Sequence, residues 1–153
     1  MNGVVDPVWA DRIALPPPEA LFTLATDRFT APYWDAAAKG RLTVPRCADC
    51  GTWRMPPGPF CPACRSQALD WPDLDPRGAV HSFTVVTRAL LPGMEASLPY
   101  VPATVTLPQA GGVRLIAPLV DVPLRAIAIG QRARVRFHRR GDGVAIPCFV
   151  PEA

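Results

Sequence analysis

Four of the five cysteines in this 153-residue chain lie in one stretch, "RCADCGTWRMPPGPFCPACRS" (46–66), as Cys47-x-x-Cys50 and Cys61-x-x-Cys64. Two such pairs can present four thiolates to one tetrahedral zinc ion, each pair on its own tight knuckle turn. Gly51 after the first pair and Pro62 inside the second suit a backbone that must turn sharply with its amides facing sulfur. Two disulfides or a thioredoxin-like redox pair are the competing uses of the same residues. Disulfides need an oxidising compartment. A redox pair normally stands alone at a helix start within a βαβ pattern. Zinc is the favoured reading. With cysteine at all four positions no coordination site stays open, so the metal is expected to be structural. Residues 41–69 also hold little apolar material beyond Leu42, Val44, Trp53, Met55, Phe60 and Leu69. A segment this small needs a staple, and structural zinc contributes roughly 10–16 kcal/mol of apparent binding energy in small fingers.

The rest of the chain offers little chemistry. His81 and His138 each fall in an expected strand, and no Ser-His-Asp or Cys-His pairing follows from local sequence. GxGxxG, Walker and HExxH motifs are absent. Cys148, in "AIPCFV", has no basic neighbour or helix N-terminus to lower its pKa and reads as a buried structural cysteine. No catalytic residue is assigned, and the chain is expected not to be an enzyme on its own. One charged feature stands out. Alternation puts Arg132, Arg134, Arg136 and His138 on one strand face, with Ala133, Val135 and Phe137 on the other. A solvated barrel exterior is the simplest account of that face, and a phosphate contact or a charged docking strip are the sharper ones.

Composition narrows the class. The chain is 49% hydrophobic, enough for a core, yet no apolar run approaches the roughly 18 residues of a membrane span. Net charge is only +3, from 16 basic and 13 acidic residues, which leaves no nucleic-acid footprint. Asp6 and Asp11 occupy the region where a signal peptide would be positive and then apolar, so a cytoplasmic protein with reduced thiols and no membrane partner is expected. Twenty prolines argue against a mainly helical fold.

The elements that must carry these residues follow from period. Residues 1–17 show none and end in "LPPPEA", a stiff linker. "PEALFTLATDRF" (18–29) has Leu21, Leu24, Ala25 and Arg28 at helical spacing, with Pro18 and Glu19 suited to a first turn. "TAPYWDAAAKGRL" (30–42) is a second short helix, capped by Thr30 and ended by Gly40. Tyr33 and Trp34 are adjacent in it and so point to different sides. Beyond the cysteines, period two takes over at 79–90, 100–107, 113–122, 132–140 and 144–150, with Gly141-Asp142-Gly143 as a hairpin turn. The fold class is therefore mainly β, with N-terminal short helices (1–42), a four-cysteine zinc ribbon (43–72) and a five-stranded OB-type barrel (73–153). An SH3-like barrel or half-open sandwich is the alternative. Pro118 and Pro147 point to bulges or edges in their strands.

Taken in order, "PYWDAAAKGRL", the cysteine stretch and the barrel runs resemble a family long catalogued as a domain of unknown function. Its members join a rubredoxin-like zinc ribbon to an OB fold. The matching features cover about 18–150, and "R-C-x-x-C-G" and "F-C-P-x-C" carry the specificity, supported by "G-x-V-x-S-F-T-V-V" and "I-G-Q-R-A-R-V-R-F". Some relatives have lost zinc ligands; Cys47, Cys50, Cys61 and Cys64 all match here. The resemblance implies a small subunit that partners a thiolase-like or sterol-carrier-type aldolase subunit, or an acyltransferase assembly, acting on acyl-CoA. The catalytic residues would then belong to the larger protein, with two small and two large subunits. Leu21, Phe22, Phe29, Tyr33 and Trp34 are the expected partner-facing anchors, because aromatic side chains dominate interface energies. Arg132, Arg134 and Arg136 are the candidate contacts to CoA phosphate. A stand-alone acyl-CoA-binding protein and a nucleic-acid-binding module are the other classes. The second is disfavoured, because "YVPATVTL" and "VRLIAPLVD" offer only Tyr100 for stacking bases.

Overall fold

A computed structural model describes residues 6–21 and 23–152; Phe22, one of the expected partner-facing anchors, lies outside the described residues. Two two-residue strands, β1 (Arg46–Cys47) and β2 (Leu69–Asp70), pair antiparallel at the base of the cysteine segment. The five alternating runs then become β3 (Arg77–Phe83), β4 (Val101–Leu107), β5 (Val113–Leu119), β6 (Arg132–Arg139) and β7 (Ala145–Pro151). They close into a barrel of order β3-β4-β5-β7-β6, as an OB-type fold requires. Every neighbour is antiparallel except β5 and β7, which meet in parallel at Leu119 and Phe149. Alternation sends Val101, Ala103, Val105 and Leu107 of β4 and Ala133 and Val135 of β6 into the core, around fully buried Leu119 and Phe149.

Two expectations about the strands need correction. The first strand stops at Phe83 instead of running to residue 90, and beyond it Val86 keeps only a single bridge to Tyr100. Pro118 and Pro147 cause no bulge, and of the two readings the edge fits better, because β5 and β7 meet only at Leu119 and Phe149. Pro118 faces Pro102 and Pro147 faces Phe137 in ladders of continuous register. Opposed residues that exchange no ladder hydrogen bonds tolerate a missing N–H. The barrel's irregularity falls in β3 instead, between Val80 and Ser82.

The helix expected over 18–29 does not form. Only a 3-10 turn, Glu19–Leu21, is present, and residues 23–27 have no regular structure. Asp27 supplies the reason. Its carboxylate accepts the Phe29 and Thr30 amides at 2.9 and 2.8 Å and the Thr30 hydroxyl at 2.9 Å. Such local bonds offer the backbone an alternative to helix, and they hold the Asp27 carboxyl below its ordinary pKa. Thr30 therefore spends its hydroxyl on Asp27 and does not cap the following helix. A short helix at the N-terminus, α1 (Pro7–Ala10), lies within the stretch read as aperiodic, and the second expected helix appears as α2 (Ala31–Ala38). Gly40, at φ +72°, ends α2 with Gly40 N–H to Ala37 and Arg41 N–H to Ala36, both at 2.9 Å.

The stretch read as leading into a linker is bonded to the barrel: Ala14 exchanges backbone bonds with Val122 and Asp121 at 2.9 and 3.0 Å, and Leu15 donates to Pro99 at 2.9 Å. Buried Arg140 holds the chain farther along, donating to the Glu19 carbonyl at 2.8 Å and pairing with Asp142 at 3.0 Å. Among the described residues no helix is long and apolar enough to cross a membrane.

Candidate metal centre and docking surface

The two cysteine pairs fold into knuckles that share one hydrogen-bond pattern. In the first, Cys47 N–H donates to Thr52 at 2.8 Å and Gly51 N–H to Cys47 at 2.9 Å. In the second, Cys61 N–H donates to Ser66 at 2.8 Å and Arg65 N–H to Cys61 at 2.9 Å. The turns bring Cys47 Sγ within 3.5 Å of Cys64 and Cys50 Sγ within 3.5 Å of Cys61, and all four sulfurs lie within 4.8 Å of one another. A tetrahedron with Zn–S bonds of about 2.3 Å has edges of about 3.8 Å, so the donor set fits one zinc ion. Cys47 and Cys61 are buried, while Cys50 and Cys64 face outward. Without metal the quartet shares protons unevenly. The Thr52 hydroxyl, 3.2 Å away, pulls Cys50 down to about 6. The Ser66 amide pulls on Cys64 too, but the hydrogen bonds that the Cys64 thiol donates to its cysteine neighbours, with partial desolvation, outweigh it and leave that thiol up at about 12. Metal binding replaces those shared protons.

The knuckles differ in the residue that follows the second cysteine of each pair. Gly51 and Arg65 both adopt left-handed backbone, at φ +76° and +64°. Only glycine does so without strain. Arg65→Gly is expected to stabilise the metal-loaded ribbon by about 0.5–1 kcal/mol, and Gly51→Ala to destabilise it by about as much. Denaturant melts of the zinc-loaded protein check both signs; a destabilising Arg65→Gly would mean that the arginine side chain matters more than its backbone.

The ribbon is seated on the barrel. Leu42 and Val44 belong to the barrel's own core, and Trp53 and Met55 pack against it. Trp53 lies so close to the β4–β5 turn that a Cβ on Gly111 would sit 2.7 Å from its ring, and the Arg46 guanidinium covers it from 5.6 Å. Spacing gave no hint of one further residue: Arg54, between the pairs, is buried.

The expected anchors divide. Leu21 is half-buried in its 3-10 turn, and Phe29 is half-buried with the Arg28 guanidinium 4.5 Å from its ring. Tyr33 points inward from α2 onto the barrel core, and burial pushes its phenol pKa well up. Trp34 meets it edge-on at 5.1 Å and is not part of that core. The arginine strip divides as well. Arg132, Arg134 and Arg136 are exposed and Ala133 and Val135 buried, but Arg136 pairs with Asp121 and His138 lies 3.5 Å from Glu19. Arg132 opens onto a groove of about 740 Å³, which it lines with Arg77, Asp75, Gln109 and Glu152. Arg134 faces Arg77 across the β3–β6 ladder. Cys148 is fully buried opposite Arg136, and burial is the main cause that pushes its thiol up to about 12.

Comparison with known proteins matches this arrangement. Residues 34–70 fit the ChsH2 rubredoxin-like zinc ribbon domain and residues 71–138 the ChsH2 C-terminal OB-fold domain. Among solved structures, a chain of the Ltp2-ChsH2(DUF35) aldolase is 35% identical and superposes with a TM-score of 0.76, over 84% of this chain and 98% of that one. The chain belongs to the DUF35 family. A DUF35 protein of unknown function from Sulfolobus solfataricus shares the fold at 15% identity and a TM-score of 0.59, over 83% of this chain and 87% of that one. Two curated relatives are longer. A probable enoyl-CoA hydratase alpha subunit of Thermomonospora curvata is 36% identical over 83% of this chain, and the 3-oxo-4,17-pregnadiene-20-carboxyl-CoA hydratase alpha subunit of Mycobacterium tuberculosis 32% over 78%. This DUF35 chain spans 39% and 37% of their lengths. Its metal is that of a rubredoxin-like zinc ribbon.

Proposed function

We propose that this chain is the noncatalytic small subunit of an acyl-CoA complex whose larger partner has the thiolase fold and cleaves a carbon–carbon bond by thiolysis or retro-aldol chemistry. The observation that carries the reading is the match to nearly the whole length of a chain of the Ltp2-ChsH2(DUF35) aldolase, together with the two ChsH2 domains found along this chain. Cys47, Cys50, Cys61 and Cys64 hold one structural zinc in the cytoplasm, where reduced thiols stay available to it. Cys148 is no nucleophile, because its buried thiol keeps its proton near neutral pH. The reacting groups belong to the partner. Leu21, Phe29 and Trp34 with the adjoining ribbon surface dock on it, in an assembly of two small and two large subunits. Arg132 and Arg134, exposed on one strand face, are placed to meet phosphates of the CoA thioester; Arg136, already paired with Asp121, contributes less.

The division between Tyr33 and Trp34 gives the test. Trp34→Ala is expected to stay folded and zinc-loaded yet bind a thiolase-fold partner at least about tenfold more weakly, as truncated interface aromatics do. Tyr33→Ala is expected to lose about 3 kcal/mol of stability first, because its ring packs on the core. Full copurification of Trp34→Ala, measured by affinity capture and native mass, would remove this segment from the interface. The hydratase-subunit relatives favour a second reading, in which the partner is an enoyl-CoA hydratase. Capture of a hydratase in place of a thiolase-fold protein would select it.

A further inference from the structure

Arg54 is only 4% exposed, yet among the described residues no carboxylate pairs with it. Its position is closely held. The Arg54 amide donates to the Pro45 carbonyl at 2.9 Å, two residues before Cys47. The side chain turns toward the other half of the ribbon, donating to the Gly58 carbonyl and, at 3.5 Å, to the Ser66 carbonyl. That same Ser66 carbonyl accepts the Cys61 amide at 2.8 Å. The Arg54 backbone is thus anchored just before the first knuckle, while its guanidinium reaches Gly58, between the pairs, and Ser66 in the second knuckle.

Two neutral carbonyls satisfy hydrogen-bonding geometry but do not balance a buried positive charge, which is costly without a counter-charge. Four thiolates around a divalent ion carry a net double negative charge. We propose that Arg54 is the counter-charge of the metal centre and the tie between its two knuckles, an inference that rests on the zinc site proposed above. Arg54 is then a positioning residue that acts through the second knuckle and through its charge. Occupied site and buried guanidinium stabilise each other, and the pairing favours a divalent over a trivalent ion, because the divalent centre carries more negative charge.

The test uses the full chain. Zinc affinity is measured by competition with a colorimetric chelator for wild type, Arg54→Met and Arg54→Lys. Visible absorption of the cobalt-substituted proteins reports whether four-thiolate coordination survives. Arg54→Met is expected to bind zinc about 10–100-fold more weakly, the usual cost of removing an outer-shell partner, and Arg54→Lys to recover most of that loss. With iron in the site, Arg54→Met should also lower the reduction potential relative to wild type, which a merely structural contact would not do. Zinc affinity of Arg54→Met within twofold of wild type overturns the proposal. So does an Arg54→Lys as weak as Arg54→Met, since hydrogen bonding rather than charge would then matter. If Arg54→Met does not fold, Arg54→Gln takes its place in the same comparison. A wild-type chain that binds no stoichiometric zinc would overturn the zinc reading itself, and this inference with it.

Discussion

Stripping the metal with a strong chelator is expected to unfold residues 46–68 while the barrel persists. The basis is where the apolar side chains lie. Leu42 and Val44 are anchored in the barrel core, and Trp53 and Met55 pack against it, so the knuckles themselves bury little beyond Cys47, Cys61 and Arg54. What holds the knuckles is a few backbone bonds closed around four sulfurs, and a metal contribution of roughly 10–16 kcal/mol in small fingers exceeds what so small a segment can otherwise supply. Hydrogen exchange checks the extent residue by residue. The amides of Cys47, Gly51, Cys61 and Arg65, protected in the loaded protein by bonds of 2.8–2.9 Å, should exchange freely after chelation. The amides of β4 and β5 should keep most of their protection. Loss of protection throughout the barrel would show that the ribbon is part of the barrel's cooperative unit, and no loss in the knuckles would show that metal is not what folds them.

The parts that were legible in the sequence are those whose signal is periodic or stoichiometric. Arg132 to Phe137 alternate in charge, and β6 alternates in burial at the same residues. Two CxxC pairs have few other uses, and their sulfurs converge. The parts that were not legible depend on bonds that carry no period. Ala14 and Leu15 join the barrel through backbone groups, which any side chains could have accompanied. Leu21, Leu24 and Ala25 are spaced as on a helix, but Asp27 and Thr30 bond to each other and divert the chain. Trp53 reads as ribbon core and instead seats the ribbon on the barrel beside Gly111. Arg54 is the sharpest case. Arginine is rarely buried and nothing in the spacing of the cysteines singles it out, whereas the fold gives it carbonyls from the second half of the ribbon.

Gly78→Ala is expected to cost roughly 3 kcal/mol of stability and to lower the melting temperature by about 10 °C. Gly78 lies in β3 where that strand is shared between β4 and β6, opposite buried Ala133. A Cβ there would fall 2.5 Å from Val105 Cγ1, 2.8 Å from the Thr106 carbonyl oxygen and 3.2 Å from Leu107 Cδ2. A side chain can rotate away, but the Thr106 carbonyl belongs to the β4 backbone and moves only with the strand. Val105 and Leu107 are both fully buried, so neither has free space to enter. Glycine at this point lets two strands of a closed barrel approach. Gly58→Ala is the control, since a Cβ there meets nothing within 4 Å, and its effect should stay within about 0.5 kcal/mol. Val105→Ala made in the Gly78→Ala background should destabilise less than it does in wild type, because it removes one of the colliding atoms. Equilibrium denaturation of wild type, the two single variants and the double variant measures the cycle. Strictly additive losses would mean that the added methyl group is accommodated without touching Val105, and a Gly78→Ala loss no larger than that of Gly58→Ala would mean that the barrel does not need this close approach.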